Sequence, residues 1–264
     1  MTELQGTRLK DRRRVNILIR TAVALYQKPQ ASLSVALGDG LRQAAGDLFR
    51  HPDTRVADLI SGHVAATAAR CQAAGRVIVA QDTTYFAYHQ AQIVGLGPLN
   101  GRAQGLVGHS ALALSPEGLP LGVLALRLWG DTAHPLPGYP VQLEPEVCAC
   151  ESARWIVTLK SGLQADKPQM EDAHSLAHCL ATYYLVAWRL LYMTYQARIT
   201  PDAPPTTVFT ELEVQVLEAV SGRQVGTLEL AVREVARLGR YKYYRGKRLP
   251  PGVQGAGGAI PDCR

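Results

Sequence analysis

The chain has 264 residues, of which 47% are hydrophobic and 19% charged, a globular composition and not that of a disordered tail. Its 28 basic side chains against 22 acidic ones leave a net charge of +6, compatible with a polyanionic partner. No apolar run reaches the roughly 18 residues of a membrane span. No basic segment followed by an apolar one opens the chain as a secretory leader would. Five cysteines are too few, and odd in number, for a disulfide framework, and fit a reducing cytosol.

Residues 1–74 read as helical. Arg8, Lys10, Arg12, Arg13 and Arg14 precede Val15, Leu18, Ala22 and Leu25, whose spacing predicts a helix with one packed face. Lys28-Pro29 ends it. A second helix is expected from Asp39 to Arg50, and a third from about Val56 to Gln72, with Asp53 or Thr54 as its cap. At residue 75 the pattern changes. Arg76 to Asp82 is a β-branched run ending in a carboxylate, and Leu106–Leu114 and Leu119–Trp129 flank the turn Ser115-Pro116-Glu117-Gly118. These three strands predict an antiparallel meander.

Residues 130–149 are proline-rich and read as a loop, and Glu151 to Trp155 could open a helix. From Glu171 to Arg198 the chain is strongly helical, with apolar residues around more than one face, so this helix needs more than one neighbour. Its series Tyr183, Tyr184, Trp188, Tyr192 and Tyr195 suits packing, within the chain or across a dimer. Thr210-Glu211-Leu212-Glu213 is a capping-box signature for a helix from Glu211 to Val220, and a last helix is expected from Leu228 to Leu238. The glycine-rich stretch 251–264 reads as a disordered tail.

Asp82 is the most informative single position. A carboxylate at a strand end can hold a hard divalent cation; the alternative is that it caps the following turn. One carboxylate cannot run two-metal phosphoryl chemistry, which needs several oxygen ligands around ions roughly 4 Å apart. The strings around it carry a resemblance. They are Gln81-Asp82-Thr83-Thr84, Gly95-Leu96-Gly97-Pro98-Leu99, Gly108-His109-Ser110-Ala111-Leu112, Gly118-Leu119-Pro120-Leu121-Gly122 and Trp129. Downstream come Glu151-Ser152-Ala153-Arg154-Trp155, Leu159-Lys160-Ser161-Gly162, Val186-Ala187-Trp188-Arg189 and Ala236-Arg237-Leu238-Gly239. In this order, over about residues 4 to 250, the chain resembles the bacterial DDE-class transposases of the insertion-sequence-four, Tn-five-like branch.

The resemblance implies an α/β (α+β) fold: a truncated RNase H-like three-stranded core in residues 75–155, a helical DNA-binding region in 1–74 and a helical dimerisation region in 156–250. It implies a bacterial, nucleoid-associated cytoplasmic protein whose family binds Mg²⁺ or Mn²⁺ on three carboxylates and cuts phosphodiester bonds at transposon ends. Asp82 matches the first carboxylate, and is the catalytic and metal-binding residue that carries over.

The chain also departs from that family. A long stretch, bearing the second Asp and the Glu, separates the family's E-S-x-R-W from its L-K-[ST]-G, whereas here Ile156, Val157 and Thr158 alone separate Trp155 from Leu159. Counting back seven residues from Lys160, where the family has its Glu, gives Ala153. The expectation is therefore an internally deleted transposase relative that binds double-stranded DNA without productive metal chemistry, as a homodimer or a heterodimer with an intact transposase. Two alternatives remain open: an active metal-dependent nuclease whose acidic site is rebuilt from Asp82, Glu151 and Asp166, and a helical interaction fragment that does not bind DNA.

The DNA-binding candidates are Arg8, Lys10, Arg12, Arg13, Arg14 and Lys28, together with Arg240 and Lys242 in a second basic cluster interleaved with tyrosines. The alternative is a solvated helix face and a flexible basic tail. His174 and His178, four apart on a helix, read as a solvated face and not as a metal site. Cys148-Ala149-Cys150 lacks the second pair of a zinc site. His109 reads as a packed or hydrogen-bonded histidine.

Overall fold

A computed structural model of the chain describes residues 2–88, 93–99, 103–130 and 155–238. Helix α1 (Arg12–Gln27) starts where the Asp11 carboxylate accepts the Arg13 N–H, and buries Val15, Leu18, Ala22 and Leu25. Helix α2 (Leu33–Arg50) has two limbs, because Gly38 at φ 66° breaks the helical path. The Asp39–Arg50 helix expected from the sequence is its second limb. Helix α3 (Val56–Ala74) follows Arg55, which makes no side-chain cap, and closes on Gly75 at φ 71°. Neither expected cap serves α3: Thr54 is buried and donates instead to the Leu48 carbonyl, locking the α2–α3 corner.

Strand β1 (Ile78–Tyr88), the two-residue β2 (Gly97–Pro98), β3 (Gln104–Leu114) and β4 (Pro120–Trp129) form one antiparallel sheet with β3 in the middle. The three long strands form the expected meander, so the chain is α+β. The register runs from Ile78 opposite Leu114 to Tyr88 opposite Gln104 without a shift, whereas β4 slips against β3 near Ala111 and Ala113. Asp82 therefore lies in the middle of β1, opposite Ser110, and not at a strand end. Thr83, Thr84, Tyr85 and Phe86 are themselves strand formers, and β3 is long enough to pair them all.

Trp155 begins a helical turn that runs into a π-helical turn at Thr158–Gly162. Helix α4 (Ala173–Ile199) starts on Asp172, whose carboxylate accepts the Ser175 N–H at 2.7 Å. It is buried nearly all round, because β4, α1, α2 and α3 all pack on it. The many-sided apolar pattern of its sequence has this cause. Helix α5 (Glu211–Ser221) carries the expected capping box between Thr210 and Glu213, and α6 spans Leu228–Leu238. One hydrophobic core joins the N-terminal helices, the sheet and α4. No helix among the described residues is long and apolar enough to cross a membrane. All but Gly130 of the expected loop at 130–149, most of the Glu151–Trp155 segment and the expected tail at 251–264 lie outside the described residues.

Candidate functional site

Alternation along β1 puts Ala80, Asp82, Thr84, Phe86 and Tyr88 on the face turned toward α4, and Gln81, Thr83 and Tyr85 on the outer face. Asp82 thus points into the molecule at a half-buried position. Beneath it lie three large buried rings: Tyr184 is edge-on to Phe86 at 6.3 Å and tilted against Trp155 at 5.7 Å. Trp155 Nε1 donates to Ser110 Oγ at 3.2 Å, directly across the sheet from Asp82. Gly108 is required here, since a Cβ at that position would stand 2.7 Å from the Tyr184 hydroxyl.

Burial pushes the Asp82 carboxyl above the usual carboxylate range, opposed by the Thr83 backbone hydrogen bond, His109 and Lys160. The Tyr184 phenol is pushed up by burial and by the Asp82 charge, with the nearby Ser110 hydroxyl working the other way. Lys160 reaches back from the π-helical turn, and its Nζ donates to the Tyr85 carbonyl at 2.8 Å. It also lies 5.6 Å from the centre of the Phe86 ring. His109 is on the opposite face. It pairs with Thr83, whose Oγ1 is 2.8 Å from Nδ1, while Gln81 Oε1 is 3.3 Å from Nε2. Burial lowers its pKa; Asp82 works against this and exposed Arg127 with it. His109 is hydrogen-bonded, as expected, but stays half-exposed.

This donor set does not fit a pair of divalent metals. Asp82 brings one carboxylate, its neighbours are a hydroxyl, aromatic rings and an ammonium, and among the described residues no three His, Cys, Asp or Glu side chains gather in metal-binding geometry. Asp166 acts on the Tyr88 phenol, and the Tyr88 backbone is six strand positions, about 20 Å at strand rise, from that of Asp82. Glu151 lies outside the described residues.

The basic candidates divide. Arg8, Lys10, Arg12 and Arg13 are exposed around the first turn of α1. The backbone there is anchored by Arg8 N–H donating to Ser61 Oγ at 2.8 Å, and Lys10 makes a loose, exposed ion pair with Asp53 at 3.6 Å. Arg14 is turned inward, with Nη2 at 2.6 Å from His51 Nε2. Lys28 caps the other end of α1 and donates to the Val35 carbonyl, about 24 Å from Arg12 at helical rise. Arg240 and Lys242 lie outside the described residues, as do Cys148 and Cys150.

Two histidine expectations separate. His174 is exposed, but His178 is buried, with Nδ1 at 2.8 Å from the Phe49 carbonyl. It is no part of a solvated face, because α2 packs over it. The aromatic series on α4 is used within the chain: Trp188 stacks on Tyr192 at 5.3 Å and donates from Nε1 to the Pro120 carbonyl at 2.9 Å.

Sequence reasoning missed a second polar cluster. His63, Thr67 and Arg70 recur at helical spacing on the buried side of α3, a polar stripe that is the available signal. His63 Nε2 accepts the Val123 N–H at 2.9 Å and Nδ1 meets Glu3 Oε2 at 2.8 Å, while Arg70 pairs with Glu3. Since Nε2 accepts, Nδ1 carries the proton and the ring is neutral. Burial lowers the His63 pKa against the pull of Glu3. Burial alone would raise the Glu3 carboxyl, but His63 and Arg70 outweigh it and hold it low. A cavity of about 210 Å³ borders this cluster, lined also by Trp188, Arg189 and Phe209. Asp82 is not among its walls.

No family model matches the chain, and no curated protein matches it.

Proposed function

We propose that this chain is a transposase-related protein of the DDE class that grips double-stranded DNA at transposon ends with the N-terminal end of α1 and does not cut it. The observation that carries the reading is the placement of Arg8, Lys10, Arg12 and Arg13, all exposed around one helix start. Cations there oppose the helix dipole at a cost of roughly 0.3–1 kcal/mol each. Only the Asp11 cap offsets them within that turn. A phosphate backbone supplies the missing negative charge and releases counterions on binding.

The chain lacks the stretch that bears the second Asp and the Glu in the family it resembles, and the rebuilt trio of Asp82, Glu151 and Asp166 is opposed by the place of Asp166 near Tyr88, at the end of β1 and not at its middle. An RNase H-like ancestry accounts for the three long antiparallel strands and the acid at the middle of the first. Such a protein acts in the nucleoid-associated cytoplasm of a bacterium, occupying ends alone or in a mixed dimer with an intact transposase. Mg²⁺ or Mn²⁺ is then the cofactor of the intact partner.

The test is a titration of duplex DNA carrying cognate ends at several salt concentrations. Binding should weaken steeply with salt, and Arg12→Ala with Arg13→Ala should flatten the log–log slope by about 0.9 for each phosphate left without its cation. Arg14→Ala should change it less, because Arg14 is held by His51. Salt-independent or undetectable binding would sink the reading. Mg²⁺-dependent nicking that Asp82→Ala abolishes would replace it with the active nuclease.

A further inference from the structure

We propose that the outer edge of β1 takes β1 of a second copy of this chain, antiparallel and centred on Thr83, so that two sheets join into one.

The direction of the free edge follows from two contacts. The Tyr85 carbonyl is held by Lys160, away from β3, while the Phe86 carbonyl lies against Gly105 of β3. In an antiparallel strand the N–H and C=O of one residue point the same way and alternate with those of the next. Val79, Gln81, Thr83, Tyr85 and Ala87 therefore present their backbone groups outward. Among the described residues β1 pairs only with β3, and two of these outward groups are engaged: Tyr85 C=O by Lys160, and Thr83 N–H by the neighbouring Asp82 carboxylate. Helices α3 and α4 pack on β4, whereas β1 meets Tyr184 of α4 on its inner face and the Lys160 side chain at its outer edge.

Edge strands that stay single are guarded by proline, lysine, a bulge or brevity. Strand β1 has none of these four, being eleven residues long, free of proline and lysine and unshifted in register; its guards are the inward-pointing charge of Asp82 and the Lys160 ammonium on the Tyr85 carbonyl, and the pairing must accommodate the first and displace the second.

The sequence of β1 selects its own copy as occupant. The midpoint of Ile78–Tyr88 is Thr83, an outward-facing residue, so a two-fold axis there pairs the whole strand and lets each outward residue exchange both its hydrogen bonds. In that register Thr83 faces the partner's Thr83 and Gln81 faces the partner's Tyr85 on the exposed side. On the inner side Ala80 faces the partner's Phe86, small against large. Asp82 faces the partner's Thr84 and not another carboxylate, so no like charges oppose. A shift of the axis to Gln81 or Tyr85 leaves strand ends unpaired. Lys160 releases the Tyr85 carbonyl to the partner's Gln81 N–H, and Asp82 releases the Thr83 N–H to the partner's Thr83 carbonyl while keeping Lys160 in its field. The inference is independent of DNA binding.

The test uses light scattering and sedimentation of the full chain, without DNA. The wild type should have the mass of two chains. Thr83→Lys and Thr83→Glu, each at an exposed position, should give the mass of one chain with folded circular dichroism, because like charges then meet across the axis. An equimolar mixture of the two variants should restore the mass of two. Hydrogen exchange should slow at Val79, Gln81, Thr83, Tyr85 and Ala87 in the dimer alone. A monomeric wild type, a Thr83→Lys variant that still dimerises, or a charge-swapped mixture that stays monomeric would each overturn the proposal.

Discussion

The two edges of this one sheet are finished in opposite ways. Along β4, helix side chains take over as hydrogen-bond partners: His63 receives the Val123 N–H, Arg70 donates to the Leu121 carbonyl and Trp188 to the Pro120 carbonyl. Gly122 lets α3 come close enough for this, since a Cβ there would collide with Thr67. Along β1, Lys160 alone reaches the edge from another element among the described residues. A buried strand edge must have every backbone group answered, whereas a wet edge can leave its groups to water or to another chain. The fold therefore concentrates rigidity at β4 and leaves adaptability at β1, the strand that carries Asp82.

The closed edge at β4 carries the largest expected effect. Trp188 is buried, lies 4.4 Å from the His63 ring, sits under Arg70 and stacks on Tyr192. Trp188→Ala should cost about 3–5 kcal/mol in urea unfolding; a loss under about 1 kcal/mol would show that the β4 edge does not depend on α4.

A smaller effect follows pH. His63 is held neutral with its pKa below the unfolded value, so the unfolded chain binds more protons in the window beneath the usual histidine range. Stability should accordingly fall as pH drops below about 6.5, with His178 adding the same sign. His63→Gln, which can still accept from Val123 and donate to Glu3, should flatten part of that fall in midpoints measured from neutral to acidic pH. An unchanged pH profile would remove His63 from the account.

The smallest effect belongs to β1. Lys160→Met should cost about 0.5 kcal/mol or less, because water replaces the ammonium at the Tyr85 carbonyl. A loss as large as that of Trp188→Ala would mean that the β1 edge is as tightly closed as β4.

Much of the fold was legible in the sequence. The α1 stripe, the Thr210/Glu213 capping box and the meander strands appear where their spacing puts them, because each depends on neighbours within a few residues. The misreadings share one cause. Thr54 has the chemistry of a cap but spends its hydroxyl on Leu48; His178 follows a polar helix start but is covered by α2; Asp82 ends an apolar run but continues a strand that β3 is long enough to pair. In each, a partner distant in sequence outbid a local preference.

The candidate site was legible at Asp82 and at the exposed cations of α1, and not beyond them. Lys160 stands 75 positions from the carbonyl it meets, and Glu3 stands 60 from His63. By itself the sequence determined which segments are helix and strand, where cation density collects, and that the 173–199 helix must be surrounded. Only the tertiary structure decided that Asp82 faces inward over Tyr184, that Arg14 is diverted to His51 while its neighbours stay exposed, and that one sheet edge is closed and the other open. The reason is physical: periodicity and capping act between near neighbours along the chain, whereas edge closure, burial and the field at a carboxylate are set by groups that only folding brings together.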